Sequence, residues 1–139
     1  MKAEELRKGN WVSDGRRVGF VITTNKKTCT IKMPVSTLKM AVEEVEPIPI
    51  TEEWLLDFGF EKIIFDSDET GYGENYVLQI NKKTKIVFED DMSFGIESAV
   101  LDTNWLDLDF DKLKGVNELQ NLFFALTRKE LVLTNKVIS

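Results

Sequence analysis

The dipeptide Asp14-Gly15, set between two short runs of mixed apolar and polar residues, constrains the first third of the chain more than any other feature. An Asp-Gly turn needs positive φ where glycine meets no steric objection, so it commits its flanks to an antiparallel hairpin. Leu6 to Val12 leads into the turn, and Arg16 to Thr24 reads as the returning strand, with Gly19 placed for a bulge or bend. Asn25-Lys26-Lys27 is the next turn, Thr28 to Met33 alternates as a half-buried strand does, and Ala41 to Val45 supplies one more short strand. Several short strands joined by tight turns within fifty residues predict a small closed or nearly closed β-barrel.

A boundary follows at Pro47-Ile48-Pro49. Residues 1–46 carry nine Lys/Arg against six Asp/Glu, a net of +3, and only two aromatics, Trp11 and Phe20. Residues 47–139 carry nine basic against eighteen acidic side chains, a net of −9, and the other twelve aromatics. Such a shift marks two structural units, 1–46 and 47–139, and so small a first unit gains stability by docking on the second.

In the second unit, Thr51 to Gly59 has the punctuation of a short helix. Thr51 caps it, Glu52 and Glu53 complement its positive end, Ile50 and Leu55 hold the staple positions, and Gly59 suits the left-handed stop. Phe60 to Phe65 reads as a strand, Tyr76 to Ile80 with Lys85 to Glu89 as a hairpin, and Phe94 to Leu101 and Trp105 to Phe110 as further strands. Apolar residues at 116, 119, 122, 123 and 126 predict a helix, with Asn117 and Gln120 at capping-box spacing. Leu131-Val132-Leu133 reads as a last strand. The fold class predicted is α+β: a small N-terminal barrel, then an antiparallel sheet with two helices packed on one face.

The run Gly9-Asn10-Trp11-Val12-Ser13-Asp14-Gly15-Arg16-Arg17-Val18-Gly19-Phe20-Val21 resembles the opening of an SH3-like barrel of the KOW type. Pro47 to Glu61, Asn117 to Thr127 and the opening Leu6 to Val12 together resemble a family of small uncharacterised proteins carried by phages, prophages and other mobile elements of gut bacteria. The chain departs from that family's pattern at Asn117, where histidine is common, and at Arg128, where glycine is common. The resemblance implies an accessory protein of a mobile element and specifies no activity.

Chemistry is restricted by what is missing. With no histidine and one cysteine, Cys29, the chain has no Ser-His-Asp or Cys-His catalysis, no His-ligated zinc and no internal disulfide. Cys29 lies mid-strand and reads as a small packed hydrophobe. Asp66-Ser67-Asp68-Glu69-Thr70-Gly71 imitates the start of a calcium loop, but position twelve is Val77, so the segment 66–74 reads as a flexible acidic connection. Glu89 to Asp91 and the aspartates at 102, 107, 109 and 111 read as solvated carboxylates guarding a strand edge. These features predict no enzyme, no metal and no cofactor.

The surface carries the remaining candidates. Arg16, Arg17, Lys26 and Lys27, with Trp11 for stacking, suggest nucleic-acid binding, against the plainer reading of a solvated barrel exterior with Trp11 in the core. A +3 unit attached to a −9 unit attracts phosphate weakly, which favours the plainer one. Set against Asp66, Asp68 and Glu69, the basic cluster makes a bipolar surface that suits a protein partner or a second copy of the chain. The leading expectation is therefore a non-catalytic protein binder, with the functional surface where the units meet or on the acidic half. A nucleic-acid module and a small-molecule protein that sequesters a nucleotide signal are the alternatives. No run is long enough to cross a bilayer and the start is too acidic for a secretory signal, which predicts a bacterial cytoplasmic location.

Overall fold

A computed structural model describes residues 1–67, 71–98 and 113–134. The architecture is α+β, with two four-stranded antiparallel sheets and one long helix. The chain divides into two compact units. Among the described residues, the first joins 1–50 to 114–132, and the second comprises those from 51 to 113 with 133–134. The helix near the end of the chain thus belongs to the first unit, whereas its sequence position had grouped it with the second.

In the first unit β1 (Trp11–Ser13), β2 (Val18–Thr24), β3 (Thr28–Lys32) and β4 (Thr37–Ala41) form a meander in sequence order. Gly15 takes φ +98° in the first turn, and the Asp14 carboxylate accepts the backbone N–H groups of Arg16 (2.9 Å) and Arg17 (2.7 Å). Gly19 faces inward: a Cβ there would lie 2.5 Å from the Lys32 carbonyl oxygen and 2.7 Å from Ile31 Cγ2. The irregularity in β2 falls further on, between Val21 and Thr23.

The sheet does not close into the expected barrel. β1 has three residues, and among the described residues the one strand-like pairing on its other side is an isolated bridge from Ser13 to Glu46. The strand expected at 41–45 is instead the end of β4 followed by a tight turn over Val42–Glu44, stabilised by Val45 N–H donating to the Val42 carbonyl. Leu6, Val12, Val21, Cys29, Ile31, Met33, Val42 and Val45 form the core beneath.

Helix α2 (Val116–Thr127) completes this unit. Its N-cap is Gly115, two residues before the predicted Asn117. Gly115 packs so closely on Pro47 and Ile48 that a Cβ would come within 2.7 Å of Pro47 Cβ, and the Ile48 carbonyl accepts Val116 N–H. Val116, Asn117, Leu119 and Gln120 are buried as one stripe, while Leu122 and Phe123 are half-buried and Leu126 is exposed. Asn117 is therefore an inward-facing residue and caps nothing.

The second unit opens with α1 (Glu52–Asp57), which follows its sequence signals closely. Thr51 Oγ1 accepts Trp54 N–H, and Gly59 at φ +96° ends the helix with paired bonds from Gly59 N–H to Leu56 O and Phe60 N–H to Leu55 O. The sheet β5 (Glu61–Ser67), β6 (Gly71–Gln79), β7 (Thr84–Glu89) and β8 (Phe94–Ser98) is again a meander. Phe88 lies at its centre, wholly buried, with ring centroids 5.6 Å from Phe60 and 5.9 Å from Phe94. The predicted strand at 105–110 lies outside the described residues.

Candidate functional site

The basic candidates of the first unit occupy two turns. Arg16 and Arg17 sit in the β1–β2 turn, exposed, and the Arg17 guanidinium meets Asp14 at 3.3 Å. The backbone donors of Arg17 and Arg16 hold the Asp14 carboxyl below its usual range. Lys26 and Lys27 sit in the β2–β3 turn, where Asn25 Oδ1 accepts the N–H groups of Lys27 (2.8 Å) and Thr28 (2.9 Å). The seven residues of β2 separate the turns, a span of roughly 23 Å at about 3.3 Å per residue. The four cations make two separate pairs at opposite ends of a strand.

Trp11 is 9% exposed, edge-on to Phe20 at 5.5 Å, with its backbone N–H bonded to Gln120 Oε1. A ring packed this way has little face for a base to stack on. Arg7 is also occupied: its Nε donates to Asn121 Oδ1 (2.8 Å), its Nη1 to Glu130 (2.8 Å), and its guanidinium lies 4.3 Å from the Phe124 ring centroid. Lys26 and Lys27 line a hollow of about 750 Å³, but Lys2, Glu4 and Glu43 line it too, so its charge is mixed. Cys29 is buried, and desolvation pushes its thiol above the usual value.

The acidic candidates lie on a different feature. Asp68 and Glu69 are outside the described residues, whereas Asp66 is in β5, opposite Tyr72. Residues 66–67 and 71–74, expected as a flexible connection, belong to β5 and β6 and pair residue for residue. They form the outer half of a β-ribbon.

That ribbon exposes apolar side chains on both faces. Every residue from Glu61 to Asp66 is exposed, including Ile63 (45%), Ile64 (59%) and Phe65 (38%), and Tyr72 on β6 is 64% exposed. Phe65 lies across Gly73, where any Cβ would collide with its ring. On the opposite face Lys62 Nζ donates to Glu52 (2.7 Å) and reaches Glu74 (3.4 Å), and the Tyr72 hydroxyl donates to Glu74 (2.7 Å). The bond to Glu52 pushes the Lys62 ammonium pKa up, and the bond from Tyr72 pulls the Glu74 carboxyl down.

β5 is an edge strand of its sheet, with no strand on its outer side among the described residues. A seven-residue edge with three consecutive apolar residues and no proline, uncovered among the described residues, is a template for strand addition by another chain. The sequence reading took Phe60 to Phe65 as an ordinary strand and assigned it no role. The signal available was the unalternated Ile63-Ile64-Phe65, since a run of exposed apolar residues is a fault in a solvated strand unless it is used.

Among the described residues no helix is long and apolar enough to cross a membrane, and no three Asp, Glu or Cys side chains are grouped to hold a metal ion. No protein-family model, curated protein or solved structure matches the chain, so its own surfaces carry the functional argument.

Proposed function

We propose that this chain is a non-catalytic accessory protein of a phage or other mobile element that acts by binding a protein chain. The observation that carries this is the β5–β6 ribbon, where Ile63, Ile64, Phe65 and Tyr72 stand exposed beside a strand edge that no other strand among the described residues covers. Strand addition is a standard way to recognise protein: the backbone edge gives affinity and the alternating side chains give specificity. The basic turns support a nucleic-acid role less well, because their cations are split between the two ends of β2 and Arg17 is paired with Asp14. The resemblance of residues 47–61 and 117–127 to small mobile-element proteins supplies the biological setting.

The test is affinity capture from a bacterial host with the parent chain and with Ile64→Lys, followed by direct binding of each captured protein in purified form. The reading expects at least one direct partner that the variant loses while its circular dichroism is unchanged. Full retention of every direct partner by the folded variant excludes the ribbon as the binding surface.

A further inference from the structure

We infer that β5 pairs antiparallel with β5 of a second copy of this chain, about a two-fold axis through Ile64, joining the sheets of the two copies into one. This rests on the reading of the ribbon as a protein-binding surface and names its occupant. An isologous contact requires a patch that complements itself when turned through 180°. The β5 sequence Glu61-Lys62-Ile63-Ile64-Phe65-Asp66 has that property about one residue. Centred on Ile64, the pairing sets Ile64 against Ile64 of the partner subunit, Ile63 against Phe65 of the partner subunit, and Lys62 against Asp66 of the partner subunit. Each apolar side chain meets an apolar one and each charge meets its opposite, twice over because of the symmetry.

Neighbouring registers lack this match. The outward backbone groups of a strand recur every second residue, so a symmetric antiparallel pair is centred on a single residue. Moving the centre to Ile63 sets Lys62 against Ile64 and Glu61 against Phe65. Moving it to Phe65 sets Ile64 against Asp66. An in-register parallel pair stacks Lys62 on Lys62 and Asp66 on Asp66, which repel.

The side-chain geometry suits the chosen register. An ammonium has three donors, and Lys62 uses its contacts to Glu52 and Glu74 on its own chain, so one proton remains for a third carboxylate. Lys62, Ile64 and Asp66 share one face of the strand and Ile63 and Phe65 the other, so pairing covers apolar surface on both sides of the ribbon. The contact involves one short strand from each copy, smaller than a standard interface. A dissociation constant in roughly the micromolar range is expected.

The test uses the full chain. Sedimentation velocity from about 1 to 200 μM, a range bracketing that affinity, should show the parent passing from monomer to dimer. Ile64→Lys, which brings two like charges together on the axis, should stay monomeric with unchanged circular dichroism. Register is read by cysteine pairing, since directly opposed residues lie about 4.5–5.5 Å apart at Cα, within disulfide reach. The native Cys29 is buried and does not interfere.

Under mild oxidation Ile64→Cys should cross-link to itself at least about tenfold more than Ile63→Cys or Phe65→Cys alone. A mixture of Ile63→Cys with Phe65→Cys should cross-link as a heterodimer. A parent that is monomeric throughout, a dimer that Ile64→Lys leaves intact, or equal cross-linking at all three positions overturns the inference. If the parent is monomeric but a purified host protein binds it and not Ile64→Lys, self-pairing fails and the protein-binding reading stands. If neither association occurs, both fall.

Discussion

Gln120 and Trp11 lie 109 positions apart in sequence, yet Gln120 Oε1 accepts the backbone N–H of Trp11 at 2.7 Å. The same amide donates through Nε2 to the Gly9 carbonyl at 3.0 Å. One side chain thereby does for the start of β1 what a neighbouring strand does elsewhere: it supplies an acceptor to one backbone group and a donor to another.

Gln120→Met keeps most of the volume and removes both bonds. The buried Trp11 N–H loses this acceptor and the half-buried Gly9 carbonyl loses this donor, so a loss of roughly 1–3 kcal/mol is expected in urea denaturation. A loss below about 1 kcal/mol means that the amide is dispensable to the packing.

Asn117→Ala should behave differently. Asn117 Nδ2 donates to the Glu5 carbonyl, but that carbonyl also accepts from Asn121 Nδ2 at 3.0 Å, and Asn117 Oδ1 is buried without a partner. Removing the side chain therefore strands nothing and deletes one unsatisfied acceptor. The variant should lie within about 1 kcal/mol of the parent, well short of the Gln120 variant. Equal losses in the two, measured side by side, contradict this account of the network.

Arg128 closes α2 at φ +60°, in the left-handed region, with its N–H bonded to the Phe124 carbonyl. A side chain there is strained and glycine is not. Arg128→Gly should stabilise the fold by about 0.5–1 kcal/mol, seen as a higher thermal midpoint.

Asp14 gives the pH dependence. Its carboxyl is held below the ordinary 3.8 by hydrogen bonds from the backbone N–H groups of Arg17 and Arg16. A depressed folded-state pKa adds stability that is fully present above the unfolded value and lost as pH falls through the folded one. Urea midpoints of the parent should therefore drop as pH falls below about 3.8. In Asp14→Asn that part of the drop should be missing. Identical acid profiles for the two proteins rule out Asp14 as a contributor.

Legibility in the sequence followed the range of the interactions. Helix α1 was readable because Thr51, Glu52 and Gly59 act on backbone groups within a few residues of themselves. The Asp14-Gly15 and Asn81-Thr84 turns were readable for the same reason. The start of α2 was misplaced because Asn117 and Gln120 look like caps locally, while their partners Glu5, Gly9 and Trp11 lie more than a hundred positions away. The barrel was overcalled because turn signals count strands and do not say whether the first and last ones pair. The ribbon reads in the sequence as a strand at 60–65 followed by a flexible acidic connection at 66–74, since its pairing and its exposure on both faces depend on what the rest of the chain leaves uncovered.

Residues 51–113 interrupt the first unit, and α2 is the last helix or strand described in it. At about 5–20 residues per second, synthesis separates Trp11 from Gln120 by on the order of ten seconds. Hairpins form within microseconds, so the β1–β4 segment has time to pair into hairpins long before its helix exists. Throughout that interval the Gly9 carbonyl and Trp11 N–H lack the amide that finally covers them. The nascent sheet is an open seam, and a chain halted before Gln120 would leave the ribosome with that seam unsealed.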